Sequence, residues 1–243
     1  MSLPLLFLRR LRKGSRALTI WSSSVLVPAV LAAFIAQGSP LSATTKQSGT
    51  LVDEPVVEVN IQESNIHLAL SKFANQYKLP IGLEVAVDDD LLKERNLSVR
   101  VKSGTVKDVL NAVASQSPDY TWELKDDVIN VFPKRPNRDP LLENILAMRL
   151  KAFAIEEGTA RIEFTKAVVS SHEVSSLLEA NGLKVEYEIF SKYDIGSLGR
   201  RFSVNVSDVT VKSLLNQVIK RSETKYWLLN RYGENRQYLL LKL

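Results

Sequence analysis

Residues 97–113 read Leu-Ser-Val-Arg-Val-Lys-Ser-Gly-Thr-Val-Lys-Asp-Val-Leu-Asn-Ala-Val, and residues 202–218 read Phe-Ser-Val-Asn-Val-Ser-Asp-Val-Thr-Val-Lys-Ser-Leu-Leu-Asn-Gln-Val. At this shift of 105 positions, Val99, Val101, Thr105, Val106, Lys107, Leu110, Asn111 and Val113 fall on Val204, Val206, Thr210, Val211, Lys212, Leu215, Asn216 and Val218. Leu97 and Val109 become Phe202 and Leu214, and Trp122 lands on Trp227. Each stretch opens with apolar residues two apart, the period of a half-buried strand, and continues with apolar residues three and four apart, the period of a helix. Thr105 stands where an N-cap is needed, with Asp108 three residues on in the place of the usual Glu of a capping box. The matched positions are strand interior, cap and helix stripe. Burying each stripe side chain is worth about 1.5–3 kcal/mol, so what recurs is a core and not a reactive group.

Working outward, the first copy has a clear order. Val57, Val59 and Ile61 alternate as a strand. Ser64 is placed to cap a helix from Asn65 to Tyr77, with Ile66, Ala69, Leu70, Phe73, Ala74 and Tyr77 as its apolar face. Leu79-Pro80-Ile81 leads into a short strand. The strand at Leu97–Val101 and the helix from Thr105 follow, then a hairpin of Tyr120–Leu124 and Val128–Phe132 around Lys125-Asp126-Asp127. In the second copy, Ser170 with Glu173 suits a helix start, and Val174, Leu177 and Leu178 form its face. Gly182 suits the left-handed residue ending it. Leu183, Val185 and Tyr187 form the next strand. The strand before the helix is either Arg161–Thr165, or Met148–Ile155 followed by a longer, broken helix, with the first slightly favoured. Phe190–Arg200 is an inserted loop.

The fold class expected is therefore α+β: two tandem small βαββαββ modules, each a mixed sheet with two helices packed on one face. The expected boundaries are 56–133 and 160–243. Between them, 134–159 is a Pro- and charge-rich linker with a short helix starting at Asp139-Pro140. Residues 39–55, rich in Ser, Thr, Gly and Gln, form a flexible leader.

The net charge of +5 is misleading. Arg9, Arg10, Arg12, Lys13 and Arg16 lie in an acid-free start, and without them 27 basic side chains face 27 acidic ones. A nucleic-acid footprint is thereby excluded. The same start has the parts of an export signal: the basic segment, an apolar one from Ala17 to Ala36, then small residues at Ala36-Gln37-Gly38 or Leu41-Ser42-Ala43. Residues 1–38 are thus a signal peptide, or an uncleaved anchor through 17–36, since twenty residues at about 1.5 Å each span roughly 30 Å of bilayer core. The chain has no cysteine, so neither disulfide nor thiol chemistry is available to the exported part.

Candidate chemistry is sparse. His67 and His172 lack the spacing of a metal pair, and no nucleophile-elbow glycines accompany His172, the serines and Asp194. Asp88-Asp89-Asp90 lacks the alternation of a calcium loop. The reading is non-enzymatic, with no cofactor and no metal. An active site in the Phe190–Arg200 loop is the enzymatic alternative. A cell-wall or polysaccharide-binding protein, with Tyr120, Trp122, Tyr226 and Trp227 as stacking platforms, is the other. Residues 57–133 carry 12 acids and 8 bases, while 160–243 carry 9 acids and 13 bases. That asymmetry can orient the modules or drive self-association.

Leu68-Ala69-Leu70, Phe73-Ala74, Gln76 and Leu79–Ile81, followed by Leu97–Val101, Thr105–Leu110, Val113 and the Tyr120–Phe132 hairpin, resemble the secretin and TonB short N-terminal (STN) domain. The resemblance covers 56–133 well and 160–243 more loosely. It implies a periplasmic docking module of a Gram-negative-type envelope, with or without an inner-membrane anchor, without the β-barrel that secretins and receptors carry. The partners it implies are a secretin, an outer-membrane receptor of TonB-dependent signalling, or an anti-sigma regulator. Docking by strand addition needs an edge strand. The expected edges are Val128–Phe132 and Gln237–Leu241, with Val128, Asn130, Phe132, Gln237, Leu239 and Leu241 as partner-binding positions.

Overall fold

In the computed structural model, residues 50–87, 96–186 and 202–243 are described. The expected signal segment, Asp88-Asp89-Asp90 and the Phe190–Arg200 loop lie outside them. No helix among the described residues is long and apolar enough to cross a membrane.

The elements of the first half are β1 (Pro55–Glu63), α1 (Ile66–Tyr77), β2 (Ile81–Glu84), β3 (Leu97–Thr105), α2 (Val106–Gln116), β4 (Tyr120–Lys125) and β5 (Val128–Pro133). Then come α3 (Pro140–Ala147), β6 (Arg149–Ile155), α4 (Arg161–Val169), α5 (His172–Ala180), β7 (Lys184–Val185), β8 (Val204–Thr210), α6 (Val211–Arg221), β9 (Tyr226–Tyr232) and β10 (Tyr238–Lys242). The protein is α+β with a mixed sheet.

Local sequence accounts for most element ends. Asn65 caps α1, its side-chain oxygen accepting from the Leu68 amide at 2.9 Å; the cap expected at Ser64 therefore sits one residue later. Thr105 and Asp108 form the reciprocal capping box at α2, and Thr210 accepts from the Ser213 amide at α6. Asp139 caps α3 through the Leu141 amide. Asp126 and Asp127, both at positive φ, make the two-residue turn of the β4–β5 hairpin, as an acidic pair tolerant of left-handed geometry can. Gly182 is left-handed just past α5.

Two readings of the sequence are corrected. Arg161–Thr165, favoured as a strand, begins α4, and β6 is the strand that pairs with β8, Phe153 opposite Val206. The helix expected from Ser170 is α5, which starts at His172 without a side-chain cap, and Glu173 accepts from the Lys151 amide; with α4 before it, the arrangement is the alternative of a strand at 148–155 followed by a longer, broken helix. In β1, Val57 is 65% exposed while Val56, Val59 and Ile61 are buried. Glu58 takes a φ of 54°, which shifts the alternation by one residue, so a strict two-residue pattern misses it.

The expected modules do not each close a sheet of their own. One six-stranded sheet runs β4-β5-β2-β9-β10-β7, and the pairs β1–β3 and β6–β8 form separate two-stranded ribbons. The junction is the parallel pair β2–β9, Ile81 opposite Tyr226 through Glu84 opposite Leu229. Alternate side chains leave opposite faces of a sheet, and here the two faces serve different cores. Ile81, Leu83, Ile129, Val131, Tyr226 and Leu228 join α1, α2 and the β1–β3 ribbon in one core. Val128, Trp227, Leu229, Leu239 and Leu241 join α3, α4, α5, α6 and the β6–β8 ribbon in the other.

Candidate functional site

The residues expected to form docking edges lie inside the sheet. β5 is flanked by β4 and β2, and β10 by β9 and β7. Val128 and Asn130 are buried, as are Leu239 and Leu241. The Gln237 carbonyl accepts from the Lys184 amide, and Phe132 lies between the Arg138 guanidinium and the Lys212 ammonium, 4.9 and 5.6 Å from its ring centre. The hairpins end the element order but not the sheet: parallel pairing of β5 with β2 and of β10 with β7 covers the strands that come last in sequence. Among the described residues the outer strands of the sheet are β4 and β7.

The most elaborate side-chain arrangement sits at the β2–β9 junction. Trp227 Nε1 donates to Asn216 Oδ1 at 2.9 Å, Asn216 Nδ2 to Asn130 Oδ1 at 3.2 Å, and Asn130 Nδ2 to the Val128 carbonyl at 3.1 Å. All three side chains are buried, and in such a setting polar groups are stable only as a connected set. The indole lies flat on Gly82 of β2: a Cβ there would stand 2.1 Å from Trp227 Cε2. Glycine is what lets β2 approach β9 with the indole between them and α6 above.

The same pair recurs on β4. Trp122 Nε1 donates to Asn111 Oδ1 at 3.2 Å, from the corresponding turn of α2. No strand flanks β4 on its outer side among the described residues, and Trp122 is half-buried where Trp227 is 1% exposed. With Tyr120, Tyr226 and Trp227 all buried, these aromatic residues provide no stacking platform for a sugar.

Charged groups gather where α3 and its approach meet the sheet ends. Arg138 makes two 2.9 Å bonds to the Glu84 carboxylate and a 3.0 Å contact to Glu143. Arg231 binds both oxygens of Asp139 at 3.1 and 3.0 Å, and Arg236 adds a third bond at 3.2 Å. Burial lifts the Glu84 carboxyl above the ordinary glutamate range, partly offset by the Arg138 guanidinium. These paired groups hold residues 138–139 against β2 and β9. Lys212 reaches Glu123 at 2.9 Å and Lys220 reaches Asp127 at 2.6 Å, so bases of the second half meet acids of the first.

The two histidines are apart. His67 on α1 stacks on Tyr226 and shares a 3.0 Å hydrogen bond with its hydroxyl; burial drives that phenol's pKa well above normal. His172 is exposed at the start of α5. Among the described residues no cluster of three His, Asp or Glu side chains is placed to hold a metal ion. The sequence signal for the Trp–Asn contacts was present, since Asn111/Asn216 and Trp122/Trp227 recur together; that they bond each other and that one of them straddles two halves required the fold. Compared with protein-family models, curated proteins and solved structures, the chain matches none.

Proposed function

We propose that this chain carries one βαββαββ unit twice and acts as an exported, non-enzymatic docking protein of a Gram-negative-type envelope, in the manner of the STN domains it resembles. Several paired features support the duplication. The first amide of α2 bonds the Glu54 carbonyl just before β1, and that of α6 bonds the Met148 carbonyl just before β6. The Leu79 amide bonds Ala74 after a left-handed Lys78, and the Leu183 amide bonds Leu178 after a left-handed Gly182. The triplets β4-β5-β2 and β9-β10-β7 repeat the same lateral order and pairing senses. Because β2 and β9 are parallel, the second triplet runs opposite to the first, a half-turn about the line across the strands that also explains why its helices cover the other face.

The observation that carries the docking role is the outer strand β4: six residues long, flanked among the described residues by a strand on one side, and bearing the side-chain motif that its counterpart β9 uses to hold a neighbouring strand. Main-chain groups on such an edge bind an added strand. Fractionation of cells expressing the full chain, combined with crosslinking and mass spectrometry, tests the role. It should place the protein in the periplasmic or inner-membrane fraction, linked to a secretin, an outer-membrane receptor or an anti-sigma regulator. Cytosolic protein with no envelope adduct refutes it.

A further inference from the structure

The β2–β9 junction is a worked example of how a strand docks on this unit, and β4 presents the same surface with no strand on it among the described residues. On β9 the added strand runs parallel, and the residue opposite the tryptophan is Gly82, over which the indole lies. On β4 the tryptophan is Trp122, held by Asn111 as Trp227 is held by Asn216. We infer that the outer edge of β4 binds a parallel strand of a partner protein with a glycine opposite Trp122, in the pattern apolar–polar–glycine–polar–apolar.

The pattern follows from the faces of β4. Tyr120, Trp122 and Leu124 point toward the first core, and Thr121, Glu123 and Lys125 toward the other face of the sheet; among these, Thr121 and Glu123 are half-buried and Lys125 is exposed. A strand in the β2 register places its glycine at Trp122, apolar residues two before and two after at Tyr120 and Leu124, and intervening residues beside Thr121 and Glu123. A side chain at the central position would meet the indole as a Cβ at Gly82 would. Glu123, already paired with Lys212 at 2.9 Å, keeps the position just after the glycine polar.

A second copy of this chain is a poor occupant. Its own open edge is β7, where the segment after the left-handed Gly182 runs Leu183-Lys184-Val185-Glu186 in place of Leu79-Pro80-Ile81-Gly82. Glu186, bonded through its amide to the Leu239 carbonyl as part of that edge, lies in register beside Leu240, two residues before the row that Gly82 holds in the first triplet. Among the described residues the β7 ladder is two residues long, against four where β2 meets β9, so head-to-tail addition has too short a strand to repeat that junction.

The inference rests on the docking role proposed above and specifies its site and ligand. Titrating the full chain with the capped pentapeptide valine–threonine–glycine–lysine–valine, followed by the Trp122 Nε1 proton resonance, should show saturable binding. The same peptide with valine for glycine should bind at least tenfold more weakly; equal affinities, or no binding of the glycine peptide, overturn the inference. In cells, a photo-crosslinking residue at Thr121 or Lys125 should trap a partner through a glycine-centred strand, whereas one at exposed Glu157 should not. Adducts from Glu157 alone, or adducts to a second copy of the chain at Thr121, sink the β4 assignment while leaving envelope docking intact. No adduct at any position removes both.

Discussion

Replacing Gly82 with alanine tests the junction on which the shared sheet depends. The added Cβ would sit 2.1 Å from Trp227 Cε2 and 2.5 Å from Nε1, so the indole must move. It is 1% exposed, packed among the second core and tethered through Asn216 to Asn130, and each route out breaks something. Overpacking a closed site costs about 1–3 kcal/mol, and leaving the Asn216–Trp227 bond unmade adds about 1–3 kcal/mol. The ceiling is the loss from removing the ring, about 3–5 kcal/mol for a buried tryptophan. G82A should therefore lose about 3 kcal/mol in urea unfolding, with the midpoint and not the slope changed. In a W227A background the clash is gone, and alanine in a strand gains about 0.5–1 kcal/mol over glycine. The double-mutant cycle should accordingly give a coupling of at least about 3 kcal/mol. A G82A variant within about 0.5 kcal/mol of the parent, or a coupling near zero, would mean that the halves do not meet through this contact.

The two Asn–Trp pairs should differ in worth because one is dry and one is wet. N216A strands the Trp227 N–H and the Asn130 carbonyl oxygen in the interior and should cost at least about 2 kcal/mol, against under about 1 kcal/mol for N111A, whose partner is half-buried; similar losses in parallel denaturation curves would deny that the β2 strand seals the site. R138M leaves the Glu84 carboxylate buried and unpaired, at about 3–5 kcal/mol at neutral pH. The folded chain holds the Glu84 proton more tightly than the unfolded chain, whose ordinary value is 4.5. This contribution to stability is therefore complete below 4.5 and is lost as pH rises through the higher folded value. Without the guanidinium that value rises further, so R138M should be closer to the parent at pH 5 than at pH 8, measured by urea midpoints at both. An equal deficit at both would show that Glu84 does not titrate with folding.

How far the sequence could be read depended on the range of the interactions. The α2 and α6 stripes, the Thr105 box and the acidic hairpin turn are set by neighbours within four residues, and each is visible as a local pattern. The strand choice between Met148–Ile155 and Arg161–Thr165 was not, because α4 has little apolar periodicity of its own and β6 is chosen by its partner β8. Glu58 hid its effect for another reason: a single left-handed residue moves the alternation of β1 without altering its composition. The misplaced edges have a topological cause. A hairpin at the end of a βαββαββ run looks terminal in sequence, yet β2 returns between β5 and β9, and such a crossover leaves only Gly82 as its trace.

That glycine also bears on why the sheet has six strands among the described residues. If the two halves are copies related by a half-turn about the line across the strands, the same operation applied again would lay a third triplet beside β7, and a fourth beyond it, without closure. An edge that repeated β2 would invite such growth, an acknowledged hazard of open sheets. Among the described residues the β7 ladder is two residues long, against four where β2 meets β9, too short to seat an approaching β4. Sedimentation of the parent chain at rising concentration should therefore show no growth through this edge, and a W122A change should leave the profile unmoved. Larger species in the parent that W122A removes would show that β7 does seat β4, and the limit drawn from ladder length would fall.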